Sequence, residues 1–107
     1  MPNHQSKYQL LKRLEQDSNL TQRQLSKELG ISLGKVNYCL QSLIEIGFIK
    51  VNNFKNSNHK IQYSYLLTPK GVAEKTKLTI MFLKAKTEEY KALKKEVEKL
   101  TNEETGK

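Results

Sequence analysis

Cysteine is all but missing from this 107-residue chain: Cys39 stands alone, so no intrachain disulfide can form and nothing calls for an oxidising compartment. Long apolar runs are missing too. Residues 1–12 are polar, which argues against a signal peptide, and no stretch stays apolar over the ~20 residues a bilayer span needs. His4 and His59 are isolated, no Gly-rich phosphate loop is present, and no acid pair sits in a catalytic context. Those absences set enzyme chemistry aside and give no cofactor or metal to expect. Internal repeats and low-complexity tracts are likewise absent. The expected setting is a soluble chain in a reducing cytoplasm with no membrane partner.

Acidic residues are scarce where basic ones are not. The net charge is +8, which favours a polyanionic partner, because neutralised phosphates release counterions whatever the sequence. From residue 48 to residue 71 the chain carries Lys50, Lys55, Lys60 and Lys70 and no Asp or Glu. The length suits one compact unit plus an appendage.

What is present falls into a readable order. Tyr8, Leu10, Leu11 and Leu14 recur at helical spacing and predict an amphipathic helix ending near residues 17–19. Thr21 with Gln24 forms a capping-box pattern that opens a short helix carrying Leu25 and Leu29 and stopping at Gly30. Ser32 can cap the next helix, whose Leu33, Val36, Leu40, Leu43 and Ile44 line one face until Gly47. Residues 48–51 and 61–67 are β-rich, and Asn52, Asn53 and residues 56–58 mark their connection, which predicts a hairpin with a long polar tip. Thr68-Pro69 is a helix start, and the following text can run helical to about Leu100, with residues 101–107 fraying.

Spacing carries the functional signal. Leu25, Ser26, Leu29, Gly30, Ile31, Val36 and Cys39 fall where two helices crossing at a tight turn need a wedge, a small contact residue and a left-handed turn position. Cys39 is expected there as a small hydrophobe rather than a redox or metal switch. The unit is a helix-turn-helix, and its second helix presents Ser32, Leu33, Gly34, Lys35, Asn37, Tyr38 and Gln41 outward. Those types suit a major groove: Asn37 and Gln41 can pair with adenine edges, Lys35 can reach guanine or phosphate, Leu33 or Tyr38 can meet thymine methyls or sugar, and Gly34 permits close approach. Thr21, Gln22, Arg23 and Ser32 are candidates for phosphate contact. The hairpin tip, Lys55, Asn56, Asn58, His59 and Lys60, suits a minor groove or phosphates. Phe54, Tyr63 and Tyr65 are expected to pack across strands rather than stack on bases.

The last third needs a partner of its own. Thr79, Leu83, Lys86, Tyr90, Leu93, Val97 and Leu100 alternate at spacings of four and three, a coiled-coil-like seam flanked by Lys and Glu. Ile80, Phe82, Leu83, Tyr90, Leu93, Val97 and Leu100 are the residues expected to join two copies, with parallel and antiparallel pairing both open. The expected organisation is therefore mainly α with a small β-hairpin: a winged helix-turn-helix over residues 1–71 and a dimerisation helix over residues 72–107.

The strings TQRQLSKELGISLGKVNYCLQSLIEIGFIKVNNFKNS and YLLTPKGVAEKTKLTIMFLKAKTEEYKALKKEVEKL closely resemble the small MarR-family regulators associated with exopolysaccharide gene clusters, and the match spans nearly the whole chain. That resemblance implies a dimeric bacterial or archaeal transcription regulator, with residues 32–46 reading duplex DNA and the hairpin as wing. YLLTPKG resembles the strand-to-helix junction of MarR-type proteins. Larger members of that family carry extra helices that build their dimer and effector pocket; this chain lacks them, so no ligand site is carried over and an effector is left open. Two other classes compete: an architectural duplex-coating protein with little base preference, and a winged helix that grips a protein partner.

Overall fold

The computed structural model describes residues 3–55 and 58–104. Among them the chain forms α1 (His4–Gln16), α2 (Gln22–Leu29), α3 (Leu33–Ile46), β1 (Ile49–Lys55), β2 (Ile61–Leu67) and α4 (Pro69–Glu104). The fold is mainly helical with one antiparallel hairpin, a winged helix-turn-helix extended by a long C-terminal helix.

Each helix begins and ends where local chemistry dictates. Asn3 caps α1, its side chain accepting the Ser6 N–H at 2.7 Å. Thr21 and Gln24 form the full capping box, with Gln24 N–H to Thr21 Oγ1 at 3.1 Å and Thr21 N–H to Gln24 Oε1 at 2.8 Å. Ser32 caps α3 through the Lys35 N–H at 3.1 Å. Gly30 and Gly47 end α2 and α3 at φ +68° and +93°, left-handed conformations that a β-carbon disfavours. Ser26 secures the intervening turn by donating its hydroxyl to the Ile31 carbonyl at 2.5 Å.

The core sits where α1, α2, α3, the base of the hairpin and the first turns of α4 converge. Leu10, Leu11 and Leu14 meet Leu25, Val36, Cys39, Leu40 and Leu43, closed by Phe48, Ile49, Tyr65 and Leu78. Burying a leucine side chain of this kind contributes about 1.5–3 kcal/mol, so this cluster dominates the stability of the compact part. Ion pairs trim its edges: Lys7 to Glu74 at 2.7 Å, Arg13 to Glu28 at 2.8 Å and Lys75 to Glu15 at 2.6 Å. The first and last clamp α1 against the start of α4.

The hairpin is longer than expected. Asn52 and Asn53, read as part of the connection, lie within β1 opposite Ser64 and Tyr63. Pairing against β2, with Tyr63 opposite Asn53 and Tyr65 opposite the neighbouring Val51, overrides the poor strand preference of asparagine. Lys55 consequently ends β1, opposite Ile61, instead of belonging to the tip. Phe48 precedes the strand and is buried beneath α4.

The hairpin-to-α4 junction is tightly built. Thr68 donates its backbone N–H to the Phe48 carbonyl at 3.0 Å and its hydroxyl to the Gly47 carbonyl at 2.6 Å, while its Oγ1 accepts the Gly71 N–H at 3.0 Å. Gly71 packs directly on the Phe48 backbone; a β-carbon there would lie 2.0 Å from the Phe48 carbonyl oxygen. The helix that follows runs 36 residues without interruption, so residues 101–104, expected to fray, are helical; residues 105–107 lie outside the described residues. At 1.5 Å per residue α4 is about 54 Å long, and it gives the molecule its 73 Å long axis against 26 and 23 Å across.

Candidate nucleic-acid interface

Helix α3 divides cleanly into two faces. Val36, Cys39, Leu40 and Leu43 are buried, whereas Ser32, Leu33, Gly34, Lys35, Asn37, Tyr38 and Gln41 are exposed. Gly34, Asn37, Tyr38 and Gln41 share one side of the helix by i, i+3, i+4 and i+7 spacing. Leu33 and Tyr38 are 43% and 46% exposed, so this face also carries apolar surface open to solvent. Nothing lies within 4 Å of the position a β-carbon would take on Gly34, so the fold itself does not require glycine there.

The first turn of α3 faces solvent, and its free amide groups with the helix dipole form a natural anion site. Charge reinforces it. Between residues 29 and 73 the only acidic residue is Glu45, at the far end of α3, against Lys35, Lys50, Lys55, Lys60 and Lys70. Residues 1–71 hold ten basic and four acidic side chains, the remainder nine and seven; the positive field therefore belongs mainly to the compact unit.

Other expected contacts distribute around this face. Thr21 and Arg23 are exposed at the start of α2. Gln22 is half-buried and engaged: its Nε2 donates to Tyr65 Oη at 3.2 Å, and its Oε1 accepts the Asn37 Nδ2 hydrogen at 3.2 Å. Tyr65 is thus a member of the site's framework, a link that its position in a strand did not announce. On the wing, Lys55, Asn58, His59 and Lys60 are exposed; Asn56 lies outside the described residues. His59 turns the tip with φ +59°, a left-handed conformation uncommon for a residue with a β-carbon.

The base of the wing is fastened to the loop before α2. Tyr65 donates its N–H to the Ser18 carbonyl at 3.0 Å, and the Ser64 hydroxyl donates to Asn19 Oδ1 at 2.7 Å. Wing and helix-turn-helix are thereby one surface, with a groove between them lined by Thr21, Gln22, Phe54, Ile61 and Tyr63. Cys39 is 1% exposed and burial pushes its thiol pKa up, the condition of a packed, unreactive side chain. Among the described residues no group of three His, Cys, Asp or Glu could hold a metal ion, and no helix is long and apolar enough to cross a membrane.

The distal helix presents a second surface. Ile80, Leu83, Tyr90, Leu93, Val97 and Leu100 are between 53% and 66% exposed. Phe82, expected among them, instead turns inward: its ring lies 5.3 Å from that of Tyr8 and packs against the core. Its position one residue off the seam explains this, since a helix rotates about 100° per residue.

Residues 4–50 match the family model described as winged helix-turn-helix DNA-binding. No curated protein sequence matches the chain significantly. Among solved structures, the adhesin competence repressor of Streptococcus pyogenes is similar, with a TM-score of 0.64, 22% identity, and coverage of 84% of this chain and 65% of that one. A Staphylococcus aureus MarR in complex with salicylate and kanamycin aligns with a TM-score of 0.62 at 20% identity, over 80% of this chain and 56% of that one. A mutant of the S. aureus MepR bound to an oligodeoxyribonucleotide aligns with a TM-score of 0.62 at 21% identity, covering 95% and 78%. The chain therefore has the winged-helix fold seen in MarR-type regulators and spans less than two thirds of the first two structures.

Proposed function

We propose that this protein is a sequence-specific regulator of transcription that binds double-stranded DNA as a homodimer, α3 entering the major groove and the wing following the backbone. The observation that carries the reading is the outward face of α3: exposed, free of acid near its N-terminus, and furnished with Asn37, Gln41 and Lys35 around a glycine the fold does not need. Asn37 and Gln41 are assigned to adenine edges, Lys35 to guanine or phosphate, and Leu33 and Tyr38 to thymine methyls or sugar, with Gly34 permitting close backbone approach. Thr21, Arg23 and Ser32 are assigned to phosphates, with Gln22 beside them, and Lys55, Asn58, His59 and Lys60 to the backbone or minor groove at the wing. The MepR structure bound to an oligodeoxyribonucleotide shares this fold, which supports DNA as the partner.

Residues 1–71 form the DNA-binding unit in this reading, and residues 72–107 form the dimer contact. Beyond Phe82 every described residue of α4 is exposed, and a lone helix with so narrow an apolar stripe gains its stability from packing against another. The seam repeats every seven residues and is flanked by both signs of charge, so a second copy of the same helix fits it. Two recognition helices would then address grooves about 34 Å apart, and occupancy would occlude or reposition polymerase. In this reading the protein acts in the cytoplasm and is nucleoid-associated when bound to DNA. The resemblance of the α2–β1 and α4 strings to regulators of exopolysaccharide clusters nominates such genes as targets.

Selection from random duplex DNA at about physiological salt, where non-specific binding is weak, tests the reading. Enrichment of a two-fold symmetric motif is the expected result. Retention without enrichment would replace it with an architectural role, and absence of salt-dependent DNA binding would favour a protein-interaction module.

A further inference from the structure

We infer that Tyr65 and Gln22 form a positioning relay that presets the Asn37 amide for base readout, so that discrimination by α3 depends on a tyrosine hydroxyl in the wing strand. The inference rests on the assignment of α3 to the major groove. Its geometry is a chain of two hydrogen bonds across three elements, Asn37 Nδ2 to Gln22 Oε1 and Gln22 Nε2 to Tyr65 Oη, each 3.2 Å.

One end of this chain is anchored and the other is free to meet DNA. Tyr65 is 7% exposed, its ring lies in the core cluster, and its backbone is held by Ser18. Gln22 is half-buried and fixed in the first turn of α2, next to the Thr21 cap. Asn37 is exposed in the middle of the proposed reading face. A primary amide has two N–H donors and one carbonyl acceptor. With one N–H committed to Gln22, Asn37 retains its Oδ1 and its second N–H, the two groups that adenine N6 and N7 require.

An unrestrained asparagine turns broadly about its terminal torsion, and a bidentate contact must then freeze that motion on binding. The relay imposes the restraint beforehand, and preorganisation of this kind raises affinity only where the ordered group is used. Its effect should therefore appear at one base pair and nowhere else. A merely structural role for the Tyr65 hydroxyl would instead weaken every duplex alike.

The test uses the full chain in five forms: wild type, Tyr65→Phe, Gln22→Ala, Asn37→Ala, and Tyr65→Phe combined with Asn37→Ala. Probes are the duplex that wild type enriches and its complete set of single-base-pair variants, with binding read by fluorescence anisotropy over a salt series. Asn37→Ala should identify the base pair it reads. Tyr65→Phe and Gln22→Ala should each reduce discrimination at that same pair about two- to tenfold, the range of one neutral hydrogen bond. In Tyr65→Phe the other positions and the salt slope should hold, and Tyr65→Phe should add nothing in the Asn37→Ala background.

Undiminished discrimination in Tyr65→Phe and Gln22→Ala would overturn the relay while leaving groove reading intact. So would a uniform loss on all duplexes that persists without Asn37. If wild type enriches no motif, or Asn37→Ala relaxes no position, groove reading by Asn37 fails and the relay falls with it. Should Tyr65→Phe melt the fold, Gln22→Ala, at a half-buried surface position, carries the same comparison.

Discussion

Replacing Gly34 by alanine should stabilise the protein and weaken its hold on DNA, two effects of opposite sign from one methyl group. Glycine inside a helix costs about 0.5–1 kcal/mol relative to alanine because it surrenders more backbone freedom on folding. Gly34 is the second residue of α3, has an ordinary backbone conformation, and offers a β-carbon open space on every side within 4 Å. No steric penalty offsets the gain, and a domain of 60–100 residues shifts its Tm by about 4–8 °C per kcal/mol; a rise of about 2–8 °C is expected. On DNA the same methyl enters the proposed contact between the α3 backbone and the groove wall, where displacing a close contact typically costs about 1–3 kcal/mol, roughly five- to 150-fold in Kd. Thermal unfolding followed by circular dichroism and anisotropy titration of the selected duplex measure the two effects on one preparation. A more stable variant that binds DNA as tightly as wild type would refute the placement of Gly34 at the interface, and a less stable one would refute the local packing.

Three further perturbations address other parts of the molecule. Leu93→Ala should weaken self-association: the side chain is 61% exposed, so burying that exposed part contributes about 1–2 kcal/mol per copy, and a dimer loses two copies, a change of about 30- to 1,000-fold in dimer Kd; unchanged sedimentation equilibrium would exclude the seam. Gly71→Ala should destabilise by at least about 1–3 kcal/mol, because its β-carbon would meet the Phe48 carbonyl at 2.0 Å; a denaturant midpoint equal to wild type would contradict the close approach of α4 to Phe48. The Glu74 carboxyl, held below the usual carboxylate range chiefly by its hydrogen bond from Lys7, stabilises the fold above its unfolded pKa of about 4.5. That contribution fades as pH falls through the lowered folded value, so Glu74→Gln should cost about 1 kcal/mol at pH 7 and show a shallower loss of stability on acidification; parallel profiles for the two proteins would rule out the linkage.

Local chemistry was legible because it is written over three or four residues. Thr21 with Gln24, Ser32, Gly30, Gly47 and Thr68-Pro69 each declare a cap or a stop without reference to the rest of the chain, and the structure places a helix boundary at every one. The wedge residues Leu25, Val36 and Cys39 were equally plain from spacing, and all are buried. What escaped needed a partner distant in sequence. Asn52 and Asn53 read as connection until Ser64 and Tyr63 are seen opposite them. Phe82 reads as a contact between two copies until Tyr8 is seen against it. The Gln22–Tyr65 bond joins residues 43 apart, and no local pattern reports such a pairing. The one available signal for Gly71 was its place in the YLLTPKG junction, which suggested a resemblance but not the carbonyl it rests on.

The structure also ties the two proposed surfaces to each other mechanically. Helix α4 contributes Gly71 and Leu78 to the buried core and is clamped to α1 by Lys7–Glu74, Glu15–Lys75 and the Tyr8–Phe82 contact. The exposed seam begins at Thr79, between the buried Leu78 and the half-buried Phe82, on the same continuous helix. After Gly71 no glycine or proline occurs before residue 105, and the usual causes of a sharp bend are therefore missing. Any pairing of two such helices fixes the orientation of each compact unit, and with it the direction of each α3. The distance between half-sites is then set by how the α4 helices cross, rather than by a flexible tether. Changes at the α1–α4 contact, around Tyr8 and Phe82, would alter that spacing without touching either the seam or the reading face.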